Sequence, residues 1–122
     1  MREIPRPGRK VRGSRSGAPI MALLDLLGRR WAMGVLWTLC EGGPATFRAL
    51  QERCETISPS VLNHRLQELQ GAKLTEKTAE GYSATPLGRQ IYDQLVPLGA
   101  LAKVWAKTLR DAAGPSSTDR RT

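Results

Sequence analysis

The sequence predicts a mainly α-helical domain in which a small β-hairpin directly follows two short helices. Three stretches carry this prediction: an amphipathic segment over residues 57–70, a shorter helical segment just before it, and alternating residues just after it. Two short helices joined by a tight turn form a helix-turn-helix, and a hairpin behind the second helix is a wing. The expected fold class is therefore a winged helix-turn-helix, with further helices at both ends.

The segment over residues 57–70 has the periodicity of a helix with one buried face. Its leucines, Leu62, Leu66 and Leu69, follow the i, i+4, i+7 spacing of a core stripe. Ser58 is the expected N-cap, and Pro59 occupies the first helical position, where its missing N–H costs nothing. The sequence thus defines both the start and the inward face of this helix.

The opposite face of the same helix carries Ser60, His64 and Gln67, with Asn63 at its edge and Glu68 at its flank on a helical wheel. Hydroxyl, amide and imidazole groups suit base edges and phosphates in a major groove. Arg65 lies nearer the core stripe, so its stem is expected to pack while its guanidinium reaches a phosphate or an acidic side chain. An ordinary solvent-facing helix would show a similar polar face, and this alternative stays open.

The positions of the neighbouring helices are predicted from residues that cap or interrupt a helix. A short helix starts at Pro19 and is interrupted by Gly28, and a second helix spans residues 29–41. Thr46 is the expected cap of a brief helix that ends at Arg53.

The predicted wing consists of strands over residues 74–78 and 82–84. It is short, and Lys77 is its one expected phosphate contact. The hairpin therefore reaches the DNA backbone more readily than the floor of a minor groove.

The last helix begins after Thr85 and carries more apolar surface than so small a core absorbs. We expect the surplus to form a homodimer interface together with the first helix. The alternative is that the last helix only closes the core of the monomer. The predicted dimerisation residues are Leu23, Leu24, Leu27, Leu98, Leu101, Trp105 and Leu109.

Charge is concentrated at the N-terminus. The 122-residue chain has a net charge of +8, and residues 1–17 hold six basic side chains against Glu3. This segment is rich in Arg, Pro, Gly and Ser, so we expect a disordered basic arm over 1–17, a folded domain over 18–113 and a disordered tail over 114–122. The arm would add salt-sensitive, sequence-independent affinity for nucleic acid, or it is a solubilising tail or a misassigned start.

Several functions are disfavoured by what the sequence lacks. One histidine and two cysteines give no metal-site spacing, and no phosphate loop or nucleophile–base pair is recognisable. We therefore expect no enzyme activity, no cofactor and no metal. No apolar stretch reaches about 18 residues, so a cytoplasmic protein that does not insert into membranes is expected.

Cys40 and Cys54 are read as small buried hydrophobes, although Arg53 could favour a reactive Cys54 thiolate.

Five motifs in order resemble the HxlR-type family of winged helix-turn-helix transcriptional regulators. They are LGRRW at 27–31, the Phe47-x-x-Leu50 pair, and the stretches over 57–69, 82–91 and 95–105. The resemblance implies a bacterial or archaeal homodimer that binds a pseudo-palindromic operator and pairs through its first and last helices. It also assigns family positions in the reading helix to Ser58, Pro59, Val61, Leu62, Arg65 and Leu66.

Three departures from the family pattern bear on mechanism. Ala18 stands where family members often carry a cysteine, which excludes thiol sensing at that position. The wing is shorter than usual. Thr46 and Ser60 stand where basic residues are common, which leaves fewer phosphate anchors on the domain.

The sequence therefore predicts a homodimeric transcriptional regulator that binds double-stranded DNA with residues 58–70 in the major groove. A winged-helix module that binds a protein and a non-specific nucleic-acid-binding protein are the alternatives, and a small-molecule effector is left open. The predicted DNA-binding residues are Thr46, Ser58, Ser60, Asn63, His64, Arg65, Gln67 and Lys77.

Overall fold

The computed structural model describes residues 3–113 and confirms the mainly helical fold with one hairpin. Its elements are α1 (Pro19–Leu27), α2 (Ala32–Gly42), α3 (Phe47–Cys54), α4 (Pro59–Gly71), β1 (Thr75–Thr78), β2 (Gly81–Ala84) and α5 (Pro86–Ala113). The chain divides into two compact units at residue 90, inside α5.

Helix α2 is the centre of the first unit, since it packs against α1, α3, α4 and β2. Its Val35, Leu36 and Leu39 are buried, as is Leu50 of α3. The core stripe predicted for α4 is confirmed by the buried side chains Leu62, Leu66 and Leu69. One apolar core therefore fixes both helices of the helix-turn-helix to the same support.

The junction between α1 and α2 differs from the prediction. Helix α2 begins at Ala32, three residues later than expected, because Trp31 adopts a left-handed conformation with φ of 75°. Gly28 ends α1 by donating its backbone N–H to the carbonyl of Leu24. Residues 29–31 consequently form a separate turn, whose carbonyls and side chains are available to neighbouring elements.

Both predicted N-caps of the helix-turn-helix are present. The Thr46 Oγ1 atom accepts a 3.1 Å hydrogen bond from the Ala49 backbone N–H, and Ser58 Oγ accepts one of 3.1 Å from Val61. Glu55, with φ of 64°, ends α3. These side-chain bonds satisfy first-turn donors that the helices cannot satisfy themselves.

The wing is an antiparallel hairpin in which Thr75 pairs with Ala84 and Thr78 with Gly81. Ala45, ahead of α3, adds a bridge that the sequence did not predict: it exchanges backbone hydrogen bonds of 2.9 and 2.7 Å with Tyr82. A Cβ at Gly81 would lie 2.4 Å from the Ala45 carbonyl oxygen, so only glycine allows this approach. The hairpin is thus joined to the start of α3.

The N-terminal segment over residues 3–17 differs from the expected disordered arm. Gly8 donates its N–H to the Gly17 carbonyl at 2.9 Å, Val11 forms a bridge with Ser14, and the side chains of Ile4 and Val11 are buried. These two apolar side chains, although they stand within a basic stretch, allow the segment to bury apolar surface and so to take up an ordered structure. Residues 1–2 and the tail predicted over 114–122 lie outside the described residues.

The part of α5 from Ile91 to Ala113 presents an exposed apolar face. Its members are Leu98, Leu101, Trp105 and Leu109, with Val104 at the flank, and the exposed Val96 lies on the opposite side of the helix. Of the three α1 residues predicted at a dimer interface, Leu24 is exposed, Leu23 is half-buried and Leu27 is buried. Leu27 therefore belongs to the core of the protomer, because it lies on the inward face of α1. Among the helices of residues 3–113, none is long and apolar enough to cross a bilayer.

Candidate nucleic-acid interface

The outward face of α4 carries the side chains that the sequence predicted to contact DNA. Ser60 and Asn63 are exposed, whereas His64 and Gln67 are half-buried. The amide of Asn63 has the donor and acceptor that pair with an adenine edge. Asn63 is therefore better placed for base contact than His64 or Gln67, and its contact with DNA stays a prediction.

The starts of α3 and α4 supply polar groups suited to phosphates. Thr46 and Ser58 are exposed and cap their helices, whose first-turn N–H groups and dipoles favour an anion. Arg48 on α3 is an exposed cation that the sequence analysis missed. Its only described ion pair is a loose one, 3.8 Å from Nε to Glu52 Oε2. The sequence feature that could have identified Arg48 is its position two residues after the cap, on the side of the helix opposite the buried Leu50.

The wing is anchored by ring contacts. The Tyr82 ring meets the Phe47 ring edge-on, with 6.5 Å between centroids, and the Lys77 ammonium lies 5.7 Å from the Tyr82 centroid. Thr46 and Lys77 line one shallow cleft between the start of α3 and the hairpin. The structure therefore brings together these two predicted phosphate contacts.

A buried carboxylate holds α4 in position. Glu68, only 1% exposed, accepts a 2.7 Å hydrogen bond at Oε1 from Arg65 Nη1 and one of 2.9 Å at Oε2 from Arg29 Nη1. Arg65 Nε also donates to the Arg30 carbonyl at 2.7 Å, and Arg29 Nη1 to the Glu3 carbonyl at 3.0 Å. We call Glu68, its two arginine donors and the carbonyls of Arg30 and Glu3 the Glu68 clamp.

The clamp decides between the two partners expected for Arg65 and changes the expectation for Glu68. Arg65 contacts an acidic side chain, Glu68, and not a phosphate in this structure, and its Nη1 and Nε atoms are both used within the protein, which supports a positioning role. Glu68, which the helical wheel put at the flank of the polar face, lies inside. Two cations offset the cost of burying its charge. The clamp ties α4 to the turn over residues 29–31 and, through Arg29, to the N-terminal segment.

We predict that Glu68→Ala lowers the free energy of unfolding by about 2 kcal/mol, because Arg29 and Arg65 lose their common acceptor. The loss is limited because both guanidinium groups retain some access to water. Urea denaturation measures it. Glu52→Ala is the matched control, since its exposed pair with Arg48 contributes about 0.5 kcal/mol or less. Equal losses in the two variants would contradict the role given to the clamp.

Neither cysteine has the surroundings of a reactive thiol. Cys40 is buried, and burial raises the pKa of the half-buried Cys54 thiol above its ordinary value. A hydrogen bond with Thr38 and the charge of Arg53 act in the opposite direction but are smaller effects. The Arg53 Nη1 atom also donates to the Gly43 carbonyl at 2.8 Å. The hypothesis of a stabilised Cys54 thiolate is therefore not supported.

We predict that Cys54 reacts with iodoacetamide more slowly than free cysteine at pH 7.5. Its raised pKa leaves less thiolate at this pH, and the rate should climb as the pH rises toward and through that pKa. Intact-mass spectrometry of the Cys40→Ser variant follows Cys54 alone. Labelling faster than free cysteine at pH 7.5 would instead indicate an activated thiol.

Within residues 3–113 no three His, Cys, Asp or Glu side chains form a group that could hold a metal ion. The functional features described above are a capped helix pair, a polar outer helix face and an anchored hairpin. Together they define a winged helix-turn-helix, a class whose second helix reads DNA.

The chain belongs to the HxlR-like helix-turn-helix family, whose model matches residues 26–110. This match confirms the resemblance inferred from the five sequence motifs, and it identifies a DNA-binding transcriptional regulator. No curated protein matches the chain at a significant level.

Solved structures agree with the family assignment. Quinone-bound YodB from B. subtilis is 27% identical, with a TM-score of 0.66, over 70% of this chain and 96% of that one. A possible HxlR family transcriptional factor from Thermoplasma volcanium is 25% identical, with a TM-score of 0.64, over 73% and 85% of the two chains. A putative MarR family regulator from Enterococcus faecalis, at 22% identity and a TM-score of 0.66 over 84% and 98%, shares the fold.

Proposed function

We propose that the protein is a homodimer that binds a pseudo-palindromic operator in the cytoplasm, with α4 of each subunit in a major groove. The observation that carries this proposal is the division of α4 into a buried leucine stripe and an exposed face with Ser60 and Asn63. Because the stripe and the Glu68 clamp fix the helix from the inside, the outer face is free to contact base edges.

The proposed contacts fall into two groups. Asn63 contacts a base edge, together with the half-buried His64 and Gln67. Thr46, Ser58, Ser60 and Lys77 contact phosphates, together with Arg48, and set the orientation of the helix. Few of these groups are cationic, so sequence-specific contacts supply much of the affinity.

The exposed apolar face of α5 supports dimerisation. Leu101 and Trp105 are 62% and 65% exposed, and apolar residues of this size in one row are typical of a subunit interface. Leu24 of α1 is a second proposed contributor. A two-fold dimer would place the two α4 helices on half-sites about one helical turn apart, or a multiple of it.

A small-molecule effector is also part of the proposal. The similar YodB has been solved with quinone bound, which supports regulation by a small molecule in this family. Ala18 and the raised pKa of Cys54 favour a non-covalent effector in this chain.

The experiment that tests the proposal is selection from a library of random DNA duplexes at about 0.15 M salt, followed by sequencing. Enrichment of a pseudo-palindromic motif is the expected result. Recovery of all sequences in equal proportion would favour a non-specific nucleic-acid-binding protein. No recovery would favour a winged-helix module that binds a protein.

We predict that Asn63→Ala weakens binding to the selected duplex about tenfold, because one good base contact contributes roughly 1–3 kcal/mol of discrimination. Binding to an unrelated duplex should change little. Fluorescence anisotropy measures both affinities. Gln94→Ala removes an exposed amide from α5 and serves as the control. An equal loss for both duplexes would show that Asn63 contacts the backbone and not a base.

We predict that Leu101→Glu converts the dimer to a monomer, because the change buries a charge at the interface. Helicity should persist, since Leu101 is largely exposed within the protomer. Sedimentation equilibrium gives the oligomeric state and circular dichroism the helicity. Ala100→Glu adds the same charge at an exposed position on the opposite side of α5 and should stay dimeric. A wild-type monomer, or a dimeric Leu101→Glu variant, would refute this interface.

A further inference from the structure

A cleft in the first unit lies between the N-terminal segment, α1 and the turn over residues 29–31. Its volume is about 650 Å³, within the range of roughly 300–1,000 Å³ that is typical of small-molecule sites. The side chains that determine its chemistry are Arg12, Met21, Leu24, Asp25, Arg29 and Arg30. The proposed DNA contacts use none of them, and the proposed dimer interface shares only Leu24 with the cleft.

The cleft has an excess of positive charge. Three guanidinium groups face one carboxylate, and Arg12 Nε lies 3.8 Å from Asp25 Oδ1. Within residues 3–113, the Arg30 side chain has no hydrogen-bond or ion-pair partner. An anion entering the cleft therefore meets an unpaired guanidinium, and planar carboxylates match that group bidentately.

One wall of the cleft is apolar. Met21 and Leu24 line it, and Leu24 is 51% exposed in the protomer. Covering this surface with an apolar ligand is favourable because it removes apolar area from water. Charge on one side and apolar side chains on the other fit an organic anion with an apolar body.

Arg29 connects this cleft with α4. It lines the cleft, and it also lines a second depression together with Glu3, Arg65 and Glu68. Its Nη1 atom is the donor to Glu68 Oε2 at 2.9 Å. A carboxylate bound in the cleft would compete with Glu68 for the same guanidinium.

We propose that the cleft binds a small monocarboxylate with an aromatic or branched aliphatic body. The carboxylate pairs with Arg30 and Arg29, and the body covers Met21 and the part of Leu24 that lines the cleft. Binding draws Arg29 away from Glu68, which loosens the Glu68 clamp and leaves α4 less well ordered for DNA. The effect on DNA rests on the proposed function, whereas ligand binding itself does not.

Calorimetric titration of the full chain with 1-naphthoate tests the site without DNA. We expect saturable binding of one molecule per chain and at least about tenfold weaker binding of the neutral isostere 1-naphthamide. Arg30→Gln should weaken naphthoate about tenfold and leave naphthamide unchanged. Arg110→Gln, which removes an exposed charge from the last turn of α5, is the control for net charge. Absence of saturable binding, equal affinities for acid and amide, or equal effects of the two variants would each overturn the proposal.

Amide chemical shifts locate the bound molecule. Shifts that change on naphthoate addition should concentrate between Met21 and Trp31, and changes confined to α5 would overturn the site. At saturating naphthoate, affinity for the selected duplex should fall about fivefold or more, in the usual range of allosteric coupling. Unchanged DNA affinity would overturn the coupling through Arg29. A protein that binds no DNA at all would overturn the proposed function, while calorimetry would still decide the ligand site.

Discussion

The position of α4 depends on one buried carboxylate. Glu68 faces away from the outer surface and is bound by Arg65 from its own helix and by Arg29 from the turn before α2. Leucine packing alone resists separation of α4 from the core but tolerates small rotations and slides, since apolar contacts have little directionality. Charge-assisted hydrogen bonds are directional. The leucine stripe thus holds α4 against the core, and the clamp fixes the orientation that a groove-reading helix needs.

Local patterns explain why so much of the fold could be predicted. The leucine spacing of α4, the caps Thr46 and Ser58 and the alternation of the hairpin each depend on residues close together in the sequence. The family motifs add specificity to these signals. The prediction was less successful where a residue has a distant partner: Glu68 and Arg29 are 39 positions apart, and a helical wheel shows the direction of a side chain but not what it meets.

The start of α2 and the N-terminal segment were also predicted incorrectly because their structure depends on distant contacts. A left-handed Trp31 has no signature in composition or periodicity, because the surrounding fold imposes it. Net charge suggested an arm without structure, yet Ile4 and Val11 are buried and Asp25 lies beside Arg12. The cleft beside this segment is likewise made by chain folding, so its arginines could not be recognised as a group.

The bridge between Ala45 and Tyr82 has a consequence for how this wing can diversify. Because Gly81 lies against the Ala45 carbonyl, the strand pair next to the tip, Thr78 with Gly81, tolerates neither a larger residue at position 81 nor a shift of register. The tip at Ala79 and Glu80 is exposed, and its tight turn relies on Thr78 alone for side-chain hydrogen bonds. Insertions between residues 79 and 80 are accommodated while the anchored residues Gly81 and Tyr82 stay unchanged. Wing length and wing placement are therefore separable traits, and a longer wing from a relative could be grafted onto this scaffold without re-engineering its attachment.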